Sequence, residues 1–252
     1  MSSADTSCDV AVIGLGPGGE EVAGRLAEAG LDVIGVDHRL VGGECPYWGC
    51  VPSKMMIRAA VSLTEARRVP ELAGSTGDVV PDWSIVAKRI RDEATDSWND
   101  AAAVKRFEQK GGRFIRGTGV VTGADTIAID GVAHEVRRAI VVNTGTVPAI
   151  PPIDGLDDVS FWTNHEIIEA TELPASLIVL GGGAIGCELS QVAARFGTRV
   201  TLVEAAPRLL VNEDPEAGEQ LRAVFESEGI DVHTGTGAVN VGQAGGEVHV
   251  RL

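Results

Sequence analysis

Aromatic residues are scarce in this sequence: five Phe, four Trp and one Tyr make up 4% of 252 residues. Set against 44% hydrophobic residues and 32 glycines, that scarcity excludes an aromatic-packed all-β sandwich and fits an α/β chain of the nucleotide-binding kind. Positive charge is also in short supply. Lysine and arginine number 21 against 36 acidic residues, a formal net charge of −15, which argues against nucleic acid and anionic membrane surfaces as partners. No apolar run approaches the roughly 18 residues that a membrane-spanning helix needs. Residues 1–9 are polar, without a charged segment leading into an apolar one, so no secretory signal is expected and the expected location is cytoplasmic. In that compartment a close cysteine pair is more often catalytic than structural. At this length the chain accommodates one large domain or two ordinary ones.

Only four cysteines are present, yet two stand five positions apart in Gly42-Gly43-Glu44-Cys45-Pro46-Tyr47-Trp48-Gly49-Cys50-Val51-Pro52-Ser53-Lys54. In a regular α-helix, Cα atoms at that separation lie roughly 8–9 Å apart, whereas a disulfide needs about 4.4–6.8 Å. A bonded pair therefore requires a break in the helix between the cysteines, and Pro46 and Gly49 permit one. Pro52 suits the first turn of a following helix. Amide N–H groups at that helix start, together with Lys54, favour a thiolate, the form that attacks disulfides. A zinc half-site and two inert thiols are the alternatives. Zinc needs about four ligands, and Cys8 and Cys187 show no ligand spacing, so no metal site is expected.

Residues 9–13 read as a buried parallel strand. Gly14-Leu15-Gly16-Pro17-Gly18-Gly19 follows, then a helix over 20–29 and a strand over 31–36 that Asp37 closes, 18 positions past Gly19. Strand, glycine turn, helix, strand and acid together form the dinucleotide fingerprint: the glycines bring backbone to a pyrophosphate at a helix N-terminus, and the acid accepts from ribose hydroxyls. The pattern recurs as a strand over 177–180, Gly181-Gly182-Gly183-Ala184-Ile185-Gly186, a helix over 187–196 and a strand over 199–203. Glu204 closes it, again 18 positions past the last glycine. Helices are expected over 53–68 and within 83–110, with Ile85, Val86, Ile90, Val104 and Phe107 in the core. Short β runs over 113–142 predict a small inserted antiparallel sheet, and Pro148, Pro151 and Pro152 mark a linker. A helix over 215–228 and strands over 230–233 and 247–252 complete the chain. His38, His134, His165, His233 and His249 are expected at the surface. The expected fold is α/β, with two Rossmann-like dinucleotide-binding domains over 1–157 and 158–252. Glu204 favours a free 2′-hydroxyl, hence NAD over NADP, at the second site, with Arg208 solvated.

The first fingerprint, the Gly-Gly-x-Cys-x4-Cys-x-Pro-Ser-Lys segment, Thr144-Gly145 before the prolines, and the second fingerprint resemble the class I pyridine nucleotide–disulfide oxidoreductases across nearly all 252 residues. That family includes dihydrolipoamide dehydrogenase, glutathione reductase and mercuric reductase. The resemblance implies FAD at Gly14, Gly16, Pro17, Gly18, Gly19 and Asp37, with Gly43, Lys54, Thr144 and Gly145. It implies NAD at Gly181, Gly183, Gly186 and Glu204. It implies a redox disulfide between Cys45, the interchange thiol, and Cys50, the thiol beside the flavin. Lys54 would lie near flavin N5, and Glu188 would pair with it. The substrate would be a disulfide or dithiol, such as lipoamide. Family members are longer, and their C-terminal domain forms a homodimer and carries a His-Glu acid–base pair. On this resemblance the sequence is an N-terminal portion without that domain, lacking normal turnover by itself.

Two features depart from the family. Pro46, Tyr47 and Trp48 stand between the cysteines where small or medium residues are usual, which narrows access and weighs against lipoamide. Ala184 stands where some members place a tyrosine over the flavin. A mercuric-type reductase, usually NADPH-linked, is disfavoured by Glu204. A non-catalytic flavin- or nucleotide-binding module is the reading from a different class.

Overall fold

A computed structural model describes residues 6–252, which form an α/β fold with mostly parallel strand pairing. In chain order the elements begin β1 (Ser7–Ile13), α1 (Pro17–Glu28), β2 (Val33–Asp37), α2 (Glu44–Tyr47), α3 (Cys50–Leu72), α4 (Trp83–Arg89) and α5 (Ala101–Gln109). Strands β3 (Arg113–Arg116), β4 (Gly119–Val121), β5 (Thr126–Ile129) and β6 (Val132–Val142) follow. Then come α6 (Asn164–Glu169), β7 (Ser176–Leu180), α7 (Ala184–Arg195), β8 (Arg199–Glu204), α8 (Pro215–Ser227), β9 (Asp231–Thr234), β10 (Asn240–Ala244) and β11 (Glu247–Arg251). The chain forms two compact units, residues 6–51 with 91–147 and residues 52–90 with 148–252.

In the first unit one six-stranded sheet runs β3-β2-β1-β6-β5-β4. Strands β3, β2, β1 and β6 pair in parallel, while β5 and β4 continue the sheet antiparallel. The short β runs therefore do not stand as a separate sheet. The reason is β6, an 11-residue strand whose first half pairs with β5 and whose second half pairs with β1. The two strands expected over 132–136 and 139–142 are one strand with a bulge. Cys8 pairs with Val136 and Val10 with Ala139, so Asp9 opposes both Arg137 and Arg138. Likewise β3, expected among the antiparallel strands, pairs in parallel with β2.

Alternation along β1 and β2 supplies two cores. Val10, Val12 and Val33 pack with Leu15 and Ala23 against Phe107 of α5. Ala11, Ile13, Ile34 and Val36 pack against Ile127, Ile129 and Val136, so the antiparallel strands cover this second face. Each such fully buried aliphatic side chain contributes roughly 1.5–3 kcal/mol.

The second unit holds the parallel sheet β7-β8-β9. Cys187 and Ala193 of α7 and Phe225 of α8 pack on Val200, Leu202 and Val232. Helix α6 was not expected. Its start is fixed by a capping box between Thr163 and Glu166. Strand β10 was also unforeseen. It pairs with β11 across Gly245 and Gly246, whose φ values of +62° and +84° are those of a type I′ hairpin turn. Helix α3 runs past Pro70 to Leu72, beyond its expected end at 68, because Pro70 is exposed and the carbonyl it leaves unbonded faces water. On α4, Trp83 and Val86 are buried on one stripe with the following Ile90, whereas Ile85, expected in the core, falls off that stripe and is 57% exposed. Among the described residues no helix is long and apolar enough to cross a membrane.

His134 is not at the surface as expected. It is 3% exposed, because it lies opposite Ile127 in the β5–β6 ladder, and Nδ1 has no hydrogen-bond partner among the described residues. Burial, and then the positive charge of Arg113, pushes its pKa below the usual 6.5. The unfolded chain therefore binds a proton that the folded chain refuses. The stability involved is complete above pH 6.5 and is lost as pH falls below it. Urea melts of the protein are expected to lose up to about 1.4 kcal/mol per pH unit below pH 6.5 from this one group. His134→Gln is expected to flatten that slope.

Candidate functional site

The first glycine turn joins β1 to α1. Gly14 takes φ +92°, and a Cβ there would stand 2.2 Å from the carbonyl oxygen of Asn143. A Cβ on Gly19 would stand 2.0 Å from the Gly14 carbonyl oxygen. Only glycine satisfies both approaches. Gly16 is the extended N-cap residue and Pro17 opens α1, leaving the first amide N–H groups of a 12-residue helix without intrahelical partners. Asp37, at the end of β2, accepts from the Leu15 N–H and the Arg39 N–H, both at 2.8 Å. It thus clamps the turn that it closes. From the end of β6, Asn143 donates its backbone N–H to Ile13 and its side-chain amide to the Gly14 carbonyl. Thr144 and Gly145 follow in exposed positions. Asn143 was not singled out from sequence, although it directly precedes the Thr-Gly pair that was. This cradle of close backbone, exposed helix amides and a carboxylate suits a dinucleotide such as FAD.

The cysteine segment leaves β2 as a strap over this turn. Gly42 donates its N–H to the Leu15 carbonyl oxygen. Gly43 takes φ +66° and lies so close that a Cβ would come within 2.7 Å of Gly16 Cα. The single helical turn α2 follows, then Trp48 and Gly49 outside helix, then α3 starting at Cys50. That interruption brings the Cα atoms of Cys45 and Cys50 to 4.6 Å, and the two sulfurs are bonded. Cys45 is half-buried and Cys50 exposed. Tyr47 is buried, with its ring tilted against Trp48 at 5.9 Å. Cys8 and Cys187 are free and buried. Burial, then the negative charges of Glu204 and Glu188, raises the Cys187 thiol to about 11. Among the described residues no cluster of His, Cys, Asp and Glu could hold a metal ion.

The second unit repeats the glycine turn between β7 and α7. Gly181 takes φ +116°, Gly183 is the extended N-cap residue, and a Cβ on Gly186 would stand 2.0 Å from the Gly181 carbonyl oxygen. Glu204 accepts from the Gly182 N–H and the Ala206 N–H at 2.6 Å each, the counterpart of Asp37. Arg208 is not a free solvated side chain. Its guanidinium donates to the carbonyl oxygens of Leu210, Val211 and Glu213. Lys54 of α3 donates to both carboxylate oxygens of Glu188 on α7 at 2.9 Å. Both partners are well exposed, so the pair contributes roughly 0–1 kcal/mol and orients the ammonium more than it stabilises the unit.

The pyridine nucleotide-disulphide oxidoreductase family matches residues 8–252. A dihydrolipoyl dehydrogenase of Chlorobaculum tepidum is 36% identical over 248 residues, covering 96% of this chain and 52% of that protein. A mercuric reductase of Acidithiobacillus ferrooxidans is 35% identical over 251 residues, covering 94% of this chain and 44% of that protein. Among solved structures, the HOCl-induced flavoprotein disulfide reductase RclA of Escherichia coli superimposes with a TM-score of 0.82 at 24% identity, covering 96% of this chain and 52% of that one. The fold is thus shared with RclA, and the chain spans about half the length of the curated relatives it matches.

Thiol accessibility separates the two kinds of cysteine. The folded, oxidised protein is expected to alkylate at none of its four cysteines at pH 8. Denaturant alone should expose Cys8 and Cys187, and reductant should add Cys45 and Cys50, each assigned by mass spectrometry.

Proposed function

Since the chain belongs to the pyridine nucleotide-disulphide oxidoreductase family, we propose that it is the cofactor-binding part of a flavin disulfide oxidoreductase, passing electrons from NADH through FAD to the Cys45–Cys50 disulfide and on to a disulfide substrate. One observation carries this reading: a disulfide segment strapped directly over the first glycine turn, with Gly43 against Gly16. FAD belongs to residues 1–157 and the nicotinamide cofactor to residues 158–252, as two Rossmann-like domains. When bound, FAD supplies a ring that accepts a hydride and releases an electron pair.

Opening the Cys45–Cys50 bond takes two electrons and leaves two thiolates. The amide N–H groups at the start of α3 and the Lys54 ammonium, one helical turn past Cys50, favour the charged form of that sulfur. Glu188 fixes where the ammonium points. Cys45 then attacks one sulfur of the substrate, forming a mixed disulfide and expelling the first thiolate. Cys50 attacks Cys45, restores the internal disulfide and expels the second. The same steps run in reverse for a dithiol substrate such as lipoamide. Substrates of the mercuric reductase kind are the second reading, favoured by the 35% identity to such an enzyme and opposed by Glu204. The net charge of −15 supports a cytoplasmic partner that is a small or protein-bound disulfide, with neither nucleic acid nor a membrane surface. A homodimer is expected where a dimerisation domain follows.

Preference for NADH follows from Glu204. Its carboxylate faces the position of a ribose 2′-group and repels a phosphate there, and Arg208, bound to three carbonyls, is withheld from neutralising it. One equivalent of NADH added anaerobically to the FAD-loaded protein is expected to unmask two alkylatable thiols, Cys45 and Cys50. NADPH should do so at least tenfold more slowly, and Glu204→Ser should narrow that gap about tenfold. No NADH-dependent unmasking would leave a nucleotide-binding module without redox function.

A further inference from the structure

Asp100 is the first residue of interest outside the cofactor contacts. It is only 8% exposed and occupies the N-cap position of α5, where an aspartate ordinarily accepts from the helix's own first-turn N–H groups. Here it makes no such bond. One carboxylate oxygen instead accepts from the Val41 N–H at 2.7 Å and from the Arg116 guanidinium at 2.5 Å. Arg116 is held in turn over the Phe114 ring, 4.7 Å from its centroid. Val41 is fully buried and begins the strap: Gly42 bonds Leu15, Gly43 lies on Gly16, and Cys45 follows two residues later. On the far side, a Cβ on Gly42 would stand 2.9 Å from the Pro46 ring and 3.3 Å from the Tyr47 ring. The strap therefore has no slack between the glycine turn below and α2 above.

We infer that Asp100 is a positioning residue for the disulfide: by holding the Val41 N–H, with Arg116 behind it, it fixes the strap that keeps Cys45 within bonding reach of Cys50. A buried carboxylate that forgoes its own helix cap to hold a remote backbone N–H stabilises the conformation in which that N–H is presented, and that conformation is the bonded one. Reduction breaks the sulfur–sulfur bond and frees Cys45 from its partner, so the strap contributes more to the oxidised form than to the reduced form. The inference rests on the redox reading of this disulfide.

The test is the thiol–disulfide equilibrium of the full chain in mixtures of reduced and oxidised dithiothreitol. Each reduction breaks the Cys45–Cys50 bond and closes the reagent's ring, with two electrons and two protons passing to the protein. Alkylation and mass spectrometry count the thiols. Asp100→Ala is expected to lower the ratio of reduced to oxidised reagent at the midpoint about tenfold or more, the size of a lost charge-assisted hydrogen bond. Asp100→Asn, whose amide oxygen can still accept from Val41, is expected to stay within about twofold of the parent. Asp100→Leu fills the same space without an acceptor and should shift as the alanine variant does, which covers the case in which Asp100→Ala fails to fold. A purely structural role would lower the melting temperatures of oxidised and reduced protein equally and leave the midpoint unmoved. That result, or an asparagine variant shifted as far as the leucine one, overturns the inference while leaving the redox reading intact. A parent disulfide that resists dithiothreitol until the protein unfolds overturns both.

Discussion

The approach of Gly43 to Gly16 is the constraint on which the first unit's chemistry depends. Two backbones meet with no room for a side chain between them, and this contact converts a sequence neighbour of the nucleotide turn into a spatial one. Neither a nucleotide turn nor a cysteine pair is unusual alone. Their fixed juxtaposition is what makes electron transfer between a bound ring and a sulfur atom geometrically available. The positive φ of Gly43 is needed for the same reason, since the strap must turn sharply to pass from the end of β2 to the start of α2.

Both units solve one electrostatic problem alike. A glycine turn leaves amide N–H groups facing outward, and the acid at the end of the next strand takes the innermost of them: Asp37 for Leu15, Glu204 for Gly182. Each carboxylate therefore shapes the turn besides offering itself to a ribose. The units differ in what lies beyond. The first adds the strap and Asn143, which grips the turn from the opposite side. The second adds Arg208, which spends its donors on the loop after β8.

Much of this was legible in the residues. Both fingerprints read correctly because strand, glycine turn and helix form a local unit whose parts lie within about thirty positions of each other. The break between Cys45 and Cys50 followed from helix geometry and from Pro46 and Gly49. What escaped notice depends on distant pairing. Nothing in Val132-Ala133-His134-Glu135-Val136 announces that one long strand will serve two neighbours, and so His134 looked like a surface residue. Asp100 lies 59 positions from the backbone it holds, beyond the reach of any periodicity. By contrast Gly245-Gly246 carried a readable turn signal that passed unused, and Thr163 with Glu166 was a readable helix start.

The bulge in β6 sets the phase of everything after it. A strand alternates its faces at every residue, so the second arginine of Arg137-Arg138 decides on which face each later side chain of β6 emerges. With it, both arginines lie close to the Asp9 carboxylate, and Asn143 arrives with its amide toward Gly14. Removing either arginine altogether would invert that alternation and turn the Asn143 amide away from the cradle, a far greater change than altering the side chain of either. The segment tolerates spelling changes but not a missing letter.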